Sequence, residues 1–109
     1  MAVKGQNFKM WQGNHQFIPF VIKDMESLEG SHIKWAVSRT PDGEKLILKD
    51  SQVDEMTING NKVEVLVKPQ DTEGLSGGRY HHELYVEDVH GHKNTLAVGL
   101  VRLYKTLFD

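Results

Sequence analysis

The sequence predicts an all-β fold, an antiparallel β-sandwich of about seven or eight strands. Hydrophobic residues recur with a period of two along most of the 109 residues, which is the periodicity of strands and not of helices. Turn-forming residues interrupt this pattern about every ten residues, a spacing typical of sandwiches and barrels. A chain of this length builds one core, so we expect a single domain over residues 1–109.

The first two strands are predicted at Phe8 to Trp11 and at His15 to Lys23, with a turn at Gly13-Asn14 between them. The second strand is apolar on both of its faces. Pro19 removes a backbone donor in its middle, and proline within a sheet is confined to edges and bulges. We therefore expect this strand to lie at a sheet edge or to carry a bulge.

Alternating residues 33–38 predict a half-buried third strand that places Trp35 at the centre of the core. Pro41-Asp42-Gly43 is a strong reverse-turn signal, because proline presets φ and glycine tolerates the strained corner. It leads into a strand over Leu46-Ile47-Leu48. The next hairpin is predicted at Asn59-Gly60, a favoured pair for a tight turn.

Residues 71–91 predict a turn, a long strand and a closing hairpin, because Asp71-Thr72 offer side-chain oxygens to a turn and Tyr80 to Asp88 alternates. The last strand, Asn94 to Tyr104, changes phase in its inward set, which predicts a bulge that we place at Gly99. These strands together favour an immunoglobulin-like sandwich. The predicted core contains Phe20, Ile33, Trp35, Val37, Leu48, Val63, Val65, Tyr80, Leu84, Val86 and Leu96.

Composition excludes several classes of protein. The formal net charge is −2, with acids and bases mixed along the chain, so no basic face is available for nucleic acid. The chain has no cysteine, which excludes disulfides, thiolate catalysis and sulfur-ligated zinc. Residues 1–12 lack the apolar run of a signal peptide, and no segment has the length of a membrane span. We expect a soluble product of the cytoplasm with no membrane partner.

Histidines are the only residues that suggest a metal. His81 and His82, and then His90 and His92, fall on opposite arms of one predicted hairpin. Neighbouring strand residues point to opposite faces, so His81 and His82 cannot both reach one ion. We therefore interpret the histidines as polar surface residues and expect no metal. If a site exists, its members are His82, His90 and His92 with Asp88.

Catalytic patterns are equally weak. Glu83, Glu87 and Asp88 are carboxylates close in sequence, and a carboxylate pair can hydrolyse glycosides when it flanks a cleft. Glu83 and Glu87 fall instead on the solvent face of a predicted strand. No serine lies in a nucleophile-elbow context. We expect no enzymatic activity and no cofactor.

Two kinds of binding surface remain. Phe17, Pro19 and Val21 alternate with core residues of the second strand, so they form an apolar row that faces outward and predicts an interface, either side by side with another strand or face to face. Exposed aromatic residues can instead form a platform for a sugar. Trp11, Tyr85 and Tyr104 are the candidates, and each is equally consistent with ordinary packing. The second possibility makes the protein a carbohydrate-binding β-sandwich module.

The order of several short motifs carries a family resemblance. The motifs are Gly13, Phe17 to Lys23, Asp24, Leu28 with Gly30, Ile33 with Trp35, Asp42-Gly43, and the series from Asp71-Thr72 to Gly99. In this order and spacing the chain resembles a domain widespread in tail proteins of tailed bacteriophages and prophages, and in particular the N-terminal β-sandwich of the baseplate upper protein. Each motif alone consists of turn-forming residues that are common in many β-domains.

The resemblance implies a function without catalysis. It implies a structural or adaptor protein that docks to other phage tail or baseplate proteins and that resides in the virion after assembly in the bacterial cytoplasm. A homo-oligomer is a further expectation, and it comes from the outward apolar row of the second strand. The chain departs from the baseplate protein because no helical or receptor-binding segment follows the sandwich before Asp109. A free-standing adaptor and a fragment of a larger protein both fit this departure.

Overall fold

The computed structural model describes residues 6–22, 27–53 and 56–105. Lys23 and Asp24, which belong to the predicted second strand and to the turn after it, lie outside the described residues. Within the described residues the chain forms eight strands, a short 3-10 turn at Ser51–Val53 and one short helix. In chain order these are β1 (Phe8–Trp11), β2 (Gln16–Val21), β3 (His32–Ser38), β4 (Ile47–Asp50), β5 (Met56–Asn59), β6 (Lys62–Val67), α1 (Pro69–Thr72), β7 (Gly78–Glu87) and β8 (Lys93–Tyr104).

The eight strands form two sheets that pack against each other. One sheet has five strands in the order β1-β8-β7-β3-β4, and the other has three in the order β2-β6-β5. The predicted β-sandwich is confirmed. One pairing departs from the antiparallel pattern, because β1 runs parallel to β8, from Phe8 opposite Val101 to Trp11 opposite Tyr104. The chain changes sheets between β1 and β2, so β1 joins the far end of the chain and not its sequence neighbour.

Two local features make the sandwich immunoglobulin-like. Trp35, on β3, is fully buried, as is the tryptophan on the third strand of antibody domains. Near the start of β7, the Tyr80 hydroxyl donates a hydrogen bond to the backbone carbonyl of Ser76, which is the arrangement called the tyrosine corner. The predicted immunoglobulin-like fold is therefore confirmed as well.

Ring packing occupies the place of the inter-sheet disulfide. In antibody domains the second cysteine follows the corner tyrosine by two residues, and that position here is His82. Its ring centroid lies 5.9 Å from that of Phe20 on β2 and 4.7 Å from that of Phe8 on β1. Phe8 also lies 6.2 Å from Trp35. The two sheets are thus joined at their centre by four aromatic rings.

Strand β4 has the opposite phase to the one predicted. Leu48 was expected in the core, but its side chain is 51% exposed, while Ile47 and Lys49 are buried. The Lys49 ammonium lies 2.6 Å from an Asp71 carboxylate oxygen. Because side chains alternate along a strand, the inward Lys49 forces Leu48 outward. The other ten residues of the predicted core are all buried.

The bulge in β8 also differs from the prediction. The register with β7 shifts between Leu84 and Tyr85, which pair with Ala97 and Thr95. The extra residue is therefore Leu96, and Gly99 is not the bulge. Gly99 has another role, because a Cβ at that position would overlap the backbone carbonyl of Gln6. The glycine lets the segment before β1 lie directly on β8.

The hairpin between β5 and β6 turns one residue later than predicted. Asn59 pairs with Lys62 in the ladder, so the two-residue loop is Gly60-Asn61 and not Asn59-Gly60. Gly60 has a φ of 61°, a conformation that glycine adopts readily. The register places Val63, Val65 and Val67 inward, which fixes where the loop must fall.

The short helix α1 is connected by a hydrogen bond to a turn that is distant in sequence. An Asp71 carboxylate oxygen accepts a hydrogen bond from the Lys68 backbone amide at 2.7 Å. The Thr72 hydroxyl oxygen accepts one from the Gly13 amide at 2.9 Å, which connects α1 to the turn between β1 and β2. Among the described residues no helix combines the length and the apolar character that crossing a membrane requires.

Candidate functional site

The outward row of β2 is an exposed apolar surface, which we call the β2 strip and define as Phe17, Pro19 and Val21. Phe17 is 62% exposed and Val21 is 54% exposed, and Pro19 is exposed between them. The alternating residues Ile18 and Phe20 are buried. The strand is therefore apolar toward solvent as well as toward the core. The interface itself stays a prediction.

The backbone of the β2 strip faces the free edge of its sheet. β2 is the outermost strand of the order β2-β6-β5, and the Ile22 amide donates to the Asn61 carbonyl at 2.9 Å. Backbone groups in an antiparallel pair point alternately toward and away from the partner strand. Even-numbered residues therefore bond to β6, and the strip residues point away from it. Pro19 costs the ladder no hydrogen bond, which explains why a proline is tolerated there.

The neighbouring strand borders the β2 strip with one apolar and two charged residues. Phe17 lies opposite Leu66 in the register of β2 and β6, Pro19 opposite Glu64, and Val21 opposite Lys62. Side chains of directly opposite residues lie close enough to touch. The strip is thus extended by Leu66 at one end, and its long side carries charges of both signs.

A second candidate surface is a groove of about 960 Å³ on the outer face of the five-stranded sheet. One row of this face runs through Leu48, Ala36, Glu83 and Val98 across four strands. Ala36 is short and lies between longer neighbours, which makes the face concave. Tyr85 also lines the groove. Sequence reasoning missed this groove, although Ala36 and Ser38 at outward positions of β3 were a usable signal.

The three candidate aromatic residues do not form one platform. Trp11 and Tyr104 stack on each other with centroids 5.2 Å apart and an angle of 26° between planes. The Arg102 guanidinium covers Tyr104 at 5.7 Å. Tyr85 lies opposite Thr95 on β8, roughly 25–30 Å along the strand from Tyr104 at about 3.3 Å per residue. Only Tyr85 lines the groove.

The candidate metal ligands are not brought together either. His82 is buried in the core at 3% exposure, so its interpretation as a surface residue is wrong. The signal was present, since His82 alternates in phase with Tyr80 and Leu84. His90 and His92 lie on the exposed hairpin between β7 and β8. Among residues 6–22, 27–53 and 56–105, no three histidine or acidic side chains are grouped to hold a metal ion.

The candidate carboxylates have structural partners. Glu83 accepts a hydrogen bond from the Thr95 hydroxyl at 3.0 Å on the neighbouring strand. One Asp88 oxygen accepts the backbone amides of His90 and His92, each at 2.9 Å. The His92 amide above all lowers the pKa of Asp88, with His90 adding to the effect. Asp88 thus organises the hairpin between β7 and β8.

Hydrogen bonds determine the protonation of buried His82. The Trp35 indole N–H can only donate, and it lies 3.2 Å from His82 Nδ1. Nδ1 must therefore accept, and the ring proton sits on Nε2, which donates to the Gln6 carbonyl. Burial lowers the pKa of His82 below its ordinary value of 6.5, and the neighbouring His81 acts in the same direction. A second proton would place two donors face to face.

We expect the protein to lose stability in mild acid because of His82. As the pH falls below 6.5, the unfolded state binds a proton that the folded state resists, so the free energy of unfolding declines until the folded state is protonated too. Denaturant unfolding at pH 7.5 and at pH 5 measures the decline. His82→Phe should show a smaller decline than wild type, and His90→Asn should leave it unchanged. An equal decline in His82→Phe would contradict this assignment.

Comparisons with known proteins add a likeness in shape. No family model matches the chain, and no curated protein matches it. Among solved structures, the chain is similar to the extracellular domain of the voltage-gated sodium channel beta4 subunit, at 16% identity and a TM-score of 0.49, with 98% of this chain and 97% of that chain covered. That domain is described as a parallel homodimer with a role in cell-cell adhesion.

Proposed function

We propose that this chain is a non-catalytic structural or adaptor protein of a bacteriophage or prophage tail, which docks to other tail or baseplate proteins through the β2 strip. The observation that carries the proposal is the exposure of Phe17 and Val21, at 62% and 54%, on an edge strand. Contiguous exposed apolar side chains on a soluble domain mark an interaction surface more often than isolated ones do.

The exposed aromatic ring of Phe17 supports docking, and the family resemblance supports a phage tail as the place where docking occurs. Aromatic side chains dominate the binding energy of many interfaces, and Phe17 is the most exposed phenylalanine, tyrosine or tryptophan among the described residues. The motif series from Gly13 to Gly99 resembles the sandwich that attaches a baseplate protein to its neighbours. Attachment by a preformed rigid sheet requires no catalytic group and no cofactor.

Copurification tests the proposal. The chain is coexpressed with each protein encoded beside its gene that belongs to the tail or baseplate, and the retained partner is quantified. We expect one such protein to be retained by wild type and lost with Phe17→Asp and with Val21→Asp, because a charge in a desolvated contact is costly. Each variant is first shown to fold by its melting temperature.

Two matched controls locate the contact. Val89→Asp replaces another valine, 69% exposed on the hairpin between β7 and β8, and Leu48→Asp alters the groove on the opposite sheet. Both should retain the partner. If Leu48→Asp lost the partner and Phe17→Asp retained it, the docking surface would be the groove, and the role of the strip would be refuted.

Carbohydrate binding is the second candidate, and the groove with Tyr85 favours it. Its volume of about 960 Å³ is within the usual range for small-ligand sites, and an aromatic ring beside polar groups suits a sugar. A saccharide whose binding is abolished by Tyr85→Ala, and preserved in Trp11→Ala, would support this function over tail docking.

A further inference from the structure

We infer that the β2 strip also joins two copies of this chain, packed face to face through side chains and not by the addition of a strand. The inference rests on the proposed function because it takes the β2 strip to be an interface, and it adds that a second copy competes with the tail partner for that strip. Three observations carry it: the backbone direction of Pro19, the pocket beside Phe17, and the charges along β6.

Strand addition is disfavoured by Pro19. Docking by β-augmentation depends on a continuous row of backbone hydrogen bonds at a sheet edge. The strip residues direct their backbone groups to the free edge, as the Ile22 to Asn61 hydrogen bond establishes. The central member of that row is a proline and has no N–H. A strand added at this edge would therefore lack the hydrogen bond from the central residue of β2, whereas packing through side chains does not need that N–H.

A protruding side chain and a pocket lie next to each other where the β2 strip meets the edge of the sandwich. The pocket has a volume of about 300 Å³ and lies between β1 and β2, where Phe8, Pro19 and Phe20 contribute apolar lining and Gln6, Asn7 and Lys9 contribute polar lining. Phe17 forms one wall of this pocket and is 62% exposed. A surface that carries both parts can pair with itself in a twofold arrangement, where each copy gives and receives the same contact. A second copy is therefore the occupant that fits.

Charge does not oppose this pairing. Lys62 and Glu64 stand on β6 beside Val21 and Pro19, so the border of the strip carries both signs. A second copy presents the same two charges and can place unlike charges together. A border of one sign would instead repel its own copy.

The contact is small, which limits its strength. Stable interfaces bury about 800 Å² on each partner, more than three side chains and Leu66 provide. We therefore expect a reversible dimer that forms only in concentrated solution, with the monomer dominant in dilute solution.

Sedimentation equilibrium over a wide range of concentrations tests the inference. Wild type should pass from monomer to dimer with rising concentration. Phe17→Asp should weaken the dimer at least about tenfold, because it removes the inserted ring and adds a buried charge. Val89→Asp, on the exposed hairpin between β7 and β8 and outside the strip, should leave the dimerisation constant unchanged.

Pro19→Val separates the two binding modes. It restores an N–H at the free edge, so strand addition would make the dimer about tenfold tighter or more, whereas face-to-face packing predicts a constant that is unchanged or weaker. A tighter Pro19→Val dimer overturns the binding mode. A wild type that stays monomeric at every concentration overturns the second copy as partner, while loss of the tail partner by Phe17→Asp would still support the proposed function.

Discussion

Truncating Trp35 to alanine should cost about 3–5 kcal/mol of folding free energy, the usual range for a buried large aromatic residue. Trp35 is 0% exposed, and its indole N–H bonds to His82. The substitution therefore leaves a cavity at the centre of the sandwich and removes the donor that holds the histidine. Small domains are stable by only about 5–15 kcal/mol, so we expect the variant to be largely unfolded or very easily unfolded.

Thermal and denaturant unfolding measure this loss, with Trp11→Ala as the matched control. Trp11 is 42% exposed and stacks on Tyr104 at the surface, so its truncation should cost far less. A Trp35→Ala protein that melts within a few degrees of wild type would contradict the position of Trp35 at the centre of the core.

Replacing Asp71 with alanine should destabilise the fold by roughly 2 kcal/mol, within the range for removing the acceptor of a buried hydrogen-bond donor. The Lys49 side chain is 2% exposed, and its ammonium lies 2.6 Å from Asp71, which is itself 21% exposed. The variant removes the carboxylate that lies beside the buried Lys49 ammonium. It also removes the acceptor of the Lys68 backbone amide.

A double variant distinguishes the ion pair from the turn. In Lys49→Met/Asp71→Ala the buried charge is gone, so stability should recover partly toward wild type, because apolar replacements of buried ion pairs are often tolerated. The double variant should nevertheless stay below Lys49→Met alone, since the amide of Lys68 still lacks its acceptor. Equal stability of Asp71→Ala and wild type in chemical unfolding would show that the pair contributes little.

Much of the fold was predictable because local patterns and the core agree. Alternation around Trp35 and Tyr80 placed both in the interior, and Pro19 limited β2 to an edge position or a bulge, of which the structure has the edge position. These features depend on one strand at a time. The outward row of Phe17, Pro19 and Val21 was predictable for the same reason, because alternation of side chains along a single strand is enough to identify it.

The errors arose where a distant residue decides the local phase. Leu48 was predicted in the core. Lys49 instead points inward and forms an ion pair with Asp71 of α1, so the neighbouring Leu48 faces solvent. His82 alternates in phase with Tyr80 and Leu84, and a polar side chain is tolerated at this inward position because Trp35 and Gln6 supply both of its hydrogen bonds. The bulge lies at Leu96, and Gly99 instead allows the close approach of the Gln6 backbone. None of these partners can be read from the neighbouring sequence.

Amide chemical shifts of isotope-labelled protein, followed while a purified tail partner or further unlabelled protein is added, show whether the β2 strip is the interface. We expect shifts at Phe17 and Val21 and at their neighbours Lys62, Glu64 and Leu66 on β6, with no shift around Ala36, Glu83 and Val98 in the groove. Shifts confined to the groove, or no shifts at the β2 strip with a partner bound, would contradict this expectation.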